Sequence, residues 1–436
     1  MNTSGNPPSN PPPTNGPAFT RREFVIRAAR LCGISALVAS LGEKWAGGAY
    51  AQEAPELSKV RVGFIALTDC APLVVAHEKG WFRKHGIEVT LCKGASWAAI
   101  RDSLSNGDLH ATHMLFGMPI ASTIGLLGSP QKPMIIPWVL NRNGQSISLA
   151  VSFKGKVRAD PNELRPFILE ARNKGKPLTF AMTFPSGTHA MWLRYWLGAG
   201  GIHPDRDIGL ITIPPPQMVA NMKVGKMEGF CVGEPWNARA IAEGIGFTAI
   251  NSQDIWRDHP EKVLACTEEF AERYPRTLIA LLRAICEASL WLDERPENRR
   301  QAVGWLTQAA YVNCSPELIL SRFLGHYDFG DGRYQEDPYY MIFFKRGCNY
   351  PQRKYAVWFL SQYRRWGMLP DPPDYQAIAS KVVRPEFYGA ALKSLGLPIA
   401  QENKDPERLF DGHVFDPRDP EAYALSFPIR TLRGAT

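Results

Sequence analysis

The chain has 436 residues, of which 45% are hydrophobic and 21% charged. That balance excludes a disordered or fibrous chain, and the length allows two or three domains. The formal net charge is +8, but the charges alternate in sign with no basic stripe, which argues against nucleic acid as a partner and leaves small anions as a weak alternative.

Residues 1–51 read as an export signal. Arg21 and Arg22 stand in "TRREFVI", the apolar stretch Leu31–Leu41 is too short to span a bilayer, and Ala49-Tyr50-Ala51 is a small-x-small cleavage site. Twin arginines, a short apolar run and Ala-x-Ala in that order mark twin-arginine-type export. This places the mature chain in the periplasm, free or membrane-associated. Leu31 is too large for a lipoprotein site, so no lipid anchor is expected at Cys32. The cysteines beyond residue 51 are odd in number and scattered, without metal-ligand spacing. Reduced, buried thiols are expected, with one or two disulfides as the alternative.

From Val60 onward strand-like and helix-like segments alternate. Val60–Leu67 reads as a strand and Ala71–Gly86 as one helix ending at glycine. "IEVTLCK", "LHATHMLF", "PMIIPWVL" and "SISLAVS" read as strands, with helices "SWAAIRDSLSNG" and "MPIASTIGLLG" between them. A second block repeats the alternation, with the strand "LTFAMTF", the helix after "PSGTH", then "GLITIPPP", "PQMVANMKVG", "MEGFCVG", "PWNARAIAEG" and "FTAINS". Beyond about residue 265 the pattern turns to long helices such as Pro275–Glu294, and Tyr327–Arg353 looks like a surface excursion. The alternation predicts an α/β, two-lobed fold with additional C-terminal helices. The expected division is 52–150 for the first part of lobe 1, 151–250 for lobe 2, 251–400 for the return to lobe 1 with a helical extension that buttresses it, and 401–436 for a C-terminal tail. Loops at the carboxyl ends of the strands face a cleft between the lobes.

No nucleophile elbow, dinucleotide fingerprint or P-loop occurs, so a non-enzyme is expected. His110 and His113 lie in a strand-like run, where their spacing sends them to opposite faces, so no metal site is expected there. The strand "LTFAMTF" runs into Pro185-Ser186-Gly187-Thr188 and then a helix whose first turn carries His189. Free amides and the helix dipole favour an anion at such a start, and Ser186 or Thr188 can cap it or offer a hydroxyl. From the residues alone, His189 is either a hydrogen-bonded structural histidine or a ligand contact.

A longer resemblance narrows the choice. "GFIALTDCAPLVVAHEKGWFRKHGIEV", "GASWAAIRDSLSNGDLH", "NGQSISLAVS", "TFPSGTHAMWLRYWLGAGGI", "IPPPQMVANMKVGKMEGFCVGEPWNARA" and "WRDHPEKVLA" resemble the nitrate-binding component of bacterial ABC importers. That family includes bicarbonate-binding members and cytoplasmic nitrate sensors. The resemblance implies a periplasmic-binding-protein-like (type II) fold, and an anion held between the lobes by Trp97, Gln145, His189 and Lys262. Ser186, Gly187 and Thr188 form the turn beside it, and Gly233, flanked by Val232 and Glu234, lines the pocket. The implied ligand is nitrate, with nitrite, delivered by a monomer to ABC permease subunits at the inner membrane without cofactor or metal. Lys262 argues against the bicarbonate arrangement, which resembles an acidic residue plus calcium, because lysine repels the metal. A regulatory sensor, a carrier of bicarbonate, cyanate or a sulfonate, and an enzyme on a related fold are the alternatives.

Overall fold

The computed structural model describes residues 54–431; the expected export signal therefore lies outside the described residues. The first sheet starts with β1 (Lys59–Phe64), β2 (Glu88–Lys93), β3 (Ala111–Leu115) and β4 (Met134–Asn143). The chain then crosses to a second sheet of β5 (Gln145–Ala150), β6 (Thr179–Met182), β7 (Gly209–Thr212), β8 (Gly229–Gly233) and β9 (Gly246–Asn251), and returns through β10 (Pro260–Thr267). The first sheet runs Met341–Ile342, β4, β10, β3, β1, β2, and the second β7, β6, β8, β5, β9.

Both sheets are mixed in the same way. β1 is parallel to β2 and β3, and β6 to β7 and β8. The strand that arrives from the other sheet is antiparallel to both its neighbours: β5 between β8 and β9, β10 between β3 and β4. β5 thus belongs to the second sheet, and the change of sheet falls at Asn143–Gly144, ahead of the 150/151 division expected from sequence. Both residues there have positive φ, 59° and 84°, a left-handed pair that reverses the chain abruptly. β4 and β10 are buried along their whole length, as interior strands covered on both faces must be.

The helix expected over Ala71–Gly86 is two, Ala71–Glu78 and Trp81–Lys84. Gly80, at φ 68°, adopts the left-handed conformation that ends the first. The helix Pro275–Glu294 packs on Ala71–Glu78 and on Pro385–Leu395, as a cover for the first sheet. The helix Arg353–Arg365 does more than buttress that lobe. Its Phe359 stacks on Phe116 of the first lobe, while Trp358 lies 5.0 Å from Trp192 of the second. The Tyr363 hydroxyl sits 2.9 Å from the Gly117 carbonyl and 2.6 Å from that of Ser186. A methyl group at Gly117 would overlap both Ser186 and Tyr363, so glycine permits this approach of the lobes. Residues 401–431 do not trail away. Phe415, Tyr423 and Phe427 are buried, and the Arg365 guanidinium lies 3.6 Å from the Phe427 ring. The cysteines of the described region are all free thiols, and no helix among the described residues is long and apolar enough to cross a membrane.

Candidate binding site between the two sheets

Loops from both sheets converge where the chain crosses. Asp69 follows β1, Trp97 opens the helix Trp97–Ser105, and His113 lies in β3. Gln145 starts β5, opposite Gly233 at the end of β8. His189 lies in the first turn of the helix Thr188–Ala199, and Glu261 and Lys262 open β10. Asp69, Trp97, His113, Gln145, His189, Glu261 and Lys262 are each 0% exposed, so every polar atom here depends on an internal partner.

Local sequence explains several placements. The Ser96 hydroxyl accepts from the Ala99 amide and caps the helix that Trp97 begins. A side chain at Gly233 would bring its Cβ within 2.5 Å of Gln145 Oε1 and 3.3 Å of Asp69 Oδ2. Glycine therefore keeps the Gln145 amide in place.

The four residues implied by resemblance come together. Gln145 Oε1 is 2.7 Å from His189 Nε2, Lys262 Nζ is 3.5 Å from the same nitrogen, and Nζ lies 6.0 Å from the Trp97 ring centre. Lys262 Nζ donates to Asp69 Oδ2 at 2.7 Å and to Glu261 Oε1 at 3.0 Å. Glu261 is held in turn by the Thr188 hydroxyl and by Trp192 Nε1 at 2.9 Å. The carboxylate at the start of the helix Thr188–Ala199 is thus the protein's own Glu261, and Thr188 serves it. Ser186 Oγ and Trp97 Nε1 are buried without a hydrogen-bond partner. Val232 is buried within β8, and the Glu234 side chain turns away from this site toward Tyr340, at 2.9 Å.

Burial pushes the His189 pKa well below its ordinary value, and the Lys262 charge adds to the effect. Both causes favour the neutral ring. Gln145 Oε1 only accepts, so His189 Nε2 carries the proton and Nδ1 accepts from the Thr183 hydroxyl at 2.6 Å. Burial works against the Lys262 charge, but Asp69 and Glu261 outweigh it and raise the pKa. Burial likewise opposes ionisation of Asp69, yet Lys262 and the His113 N–H hold its carboxyl below the usual range. Glu261 moves the other way, raised chiefly by burial.

Sequence reasoning did not single out Asp69 or Glu261, and it weighed His113 only as a metal ligand. A lone acid in the apolar run "FIALTDCAPLVV" and a Glu-Lys pair entering a strand were the available signals. His110 and His113 part as expected: His110 Nδ1 accepts from the Arg61 amide, while His113 Nε2 lies 2.8 Å from Asp69 Oδ1. Among the described residues no group of three His, Cys, Asp or Glu side chains is arranged to hold a metal ion.

Two mixed sheets joined by paired crossings, with a buried polar cluster at the crossings, define a two-lobed protein of the periplasmic-binding class. Its fold matches the crystal structure of the periplasmic nitrate-binding protein NrtA from Synechocystis PCC 6803, with a TM-score of 0.83 and 39% identity over 86% of this chain and 100% of that one. The chain belongs to the NMT1-like family, whose model matches residues 53–307, and to the nitrate/bicarbonate-type binding proteins of bacterial ABC transporters. It is 38% identical to the nitrate/nitrite binding protein NrtA of Synechococcus elongatus over 95% of this chain and 99% of that one. It is 31% identical to the bicarbonate-binding protein CmpA of the same organism, over 86% and 88%.

Proposed function

We propose that this protein captures nitrate, and also nitrite, between its lobes outside the cytoplasm and delivers it to an ABC importer without covalent chemistry. The observation that carries the reading is one juxtaposition: Lys262 Nζ and Gln145 Nε2 both donate to Asp69 Oδ2, His189 Nε2–H donates to Gln145 Oε1, and the buried Trp97 N–H beside them has no partner. Nitrate is planar and singly charged, with three equivalent acceptors. Taking it out of water needs a countercharge and directed donors. Lys262 supplies the charge, Trp97 and Gln145 supply neutral N–H groups, and neutral His189 Nε2–H supplies a third.

The site residues are fully buried, so an anion enters only when the lobes part. The left-handed Asn143–Gly144 pair and the return segment 252–259 are the two places where the chain crosses, and we assign the hinge to them. Docking of the closed form on permease subunits then follows as population shift. Lysine at 262 supports nitrate over a calcium-assisted bicarbonate ion, since a buried ammonium and Ca²⁺ repel. Calorimetric titration with nitrate, nitrite, sulfate, and bicarbonate with and without calcium tests the reading. Saturable nitrate and nitrite binding, with no calcium-dependent bicarbonate signal, is expected. A saturable bicarbonate signal that requires calcium, without one for nitrate, would replace it.

A further inference from the structure

We infer that Asp69 is a resident competitor for the incoming anion: its Oδ2 occupies the Lys262 and Gln145 donors and thereby sets the affinity and the charge class that the site accepts. The inference rests on the anion-capture reading above. Oδ2 lies 2.7 Å from Lys262 Nζ and 3.3 Å from Gln145 Nε2. A carboxylate and a nitrate present the same planar edge of two oxygens, so the two groups compete for the same N–H bonds.

The two oxygens of Asp69 are held differently. The Ile65 amide donates to His113 Nδ1 at 3.4 Å, which leaves the proton on Nε2 to bind Oδ1 at 2.8 Å. Oδ1 is thus anchored to the first sheet, while Oδ2 faces Lys262, Gln145 and the side-chain-free Gly233. Glu261 is tied independently to Thr188 and Trp192, so Lys262 keeps one carboxylate when Oδ2 is displaced. A monoanion that takes over Nζ and Gln145 Nε2 adds one negative charge beside the anchored Asp69, and gains the Trp97 N–H that Asp69 leaves unpartnered. A dianion adds two buried charges beside Asp69 and Glu261, and Coulomb repulsion in a dry site disfavours the second far more than the first.

Titration of the wild type and Asp69→Asn with sodium nitrate and sodium sulfate, at matched ionic strength, tests this. Asparagine keeps the shape and can still accept from His113. Nitrate should bind the variant about tenfold or more tighter, the scale of one charged hydrogen bond, and sulfate, silent on the wild type, should gain a measurable signal. Equal or weaker nitrate binding by the variant, with the wild type still binding, overturns the inference and leaves the capture reading intact. Nitrate binding by the variant alone sinks the capture reading and retains the competitor. Silence from both sinks the two together. Should Asp69→Asn fail to fold, crystal structures of the wild type with and without nitrate decide. Asp69 Oδ2 should leave hydrogen-bond range of Lys262 in the complex, and an unchanged contact overturns the inference.

Discussion

Two buried charge clusters meet the start of β5, one through Gln145 and the other through Ser146 and Tyr340, and they are built differently. Around Glu234, the carboxylate meets the Tyr340 hydroxyl at 2.9 Å, the Ala238 amide at 3.2 Å and Arg322 at 3.4 Å. The Arg322 guanidinium also covers the Tyr327 ring at 3.7 Å. This carboxylate is served wholly from within the chain, and Arg322 Nε, a buried donor without a hydrogen bond, still lies 3.4 Å from Glu234 as an ion pair. Around Lys262 the charges are equally buried, yet the Trp97 N–H and the Ser186 hydroxyl have neither a hydrogen bond nor an ion pair. Neutral donors left over in a buried cluster are what the proposed capture of an anion needs.

The comparison breaks most visibly at the two cations. Lys262→Glu should weaken nitrate binding by several kcal/mol, on the order of 3–5 for a buried like charge beside the anion, as read by calorimetry. Arg322→Met should cost a similar ~3–5 kcal/mol in denaturant stability, because it strands Glu234, while the folded fraction keeps its nitrate affinity. If the two effects trade places, the division between site and scaffold is wrong. Trp97→Phe removes the unpartnered N–H together with one ring of a fully buried side chain. It should lower nitrate affinity by about 1–3 kcal/mol, and the cavity it leaves should also lower the unfolding midpoint of the anion-free protein.

Per pH unit, a smaller effect sharpens the contrast. His259 lies at the return crossing, 4.4 Å from the Trp192 ring, and burial lowers its pKa to about 3. The unfolded chain binds this proton near pH 6.5, so the unfolded state holds more protons below that pH. Stability contributed by neutral His259 is complete above about pH 6.5. It falls by up to about 1.4 kcal/mol per unit as pH drops toward 3. His259→Gln should flatten that part of the stability profile; an unchanged slope would show that His259 does not contribute it. Smallest is Gly233→Ala, whose methyl displaces the Gln145 amide and should reduce nitrate affinity by about 1 kcal/mol with little effect on nitrite, the smaller ligand.

Much of the fold was legible because β1, β3, β4 and β8 are short apolar runs bounded by turn residues. β10 was not, since Glu261 and Lys262 interrupt its apolar pattern while still being buried. Gly80 splits a helix that periodicity alone joins. The burial of Tyr423 and Phe427 depends on contacts with Tyr195 and Trp358, far away in sequence, which no local pattern reveals. At the site, Trp97, Gln145, His189 and Lys262 emerged from the family resemblance. Asp69 and Glu261, and the role of His113 in holding Asp69, emerged only when folding brought them together.

Equilibrium titration of the purified protein with nitrate tests the central claim most directly. One saturable site per chain, lost in Lys262→Glu and retained in Arg322→Met, is the predicted result. Absence of saturable nitrate binding, or binding that survives Lys262→Glu unchanged, would contradict it.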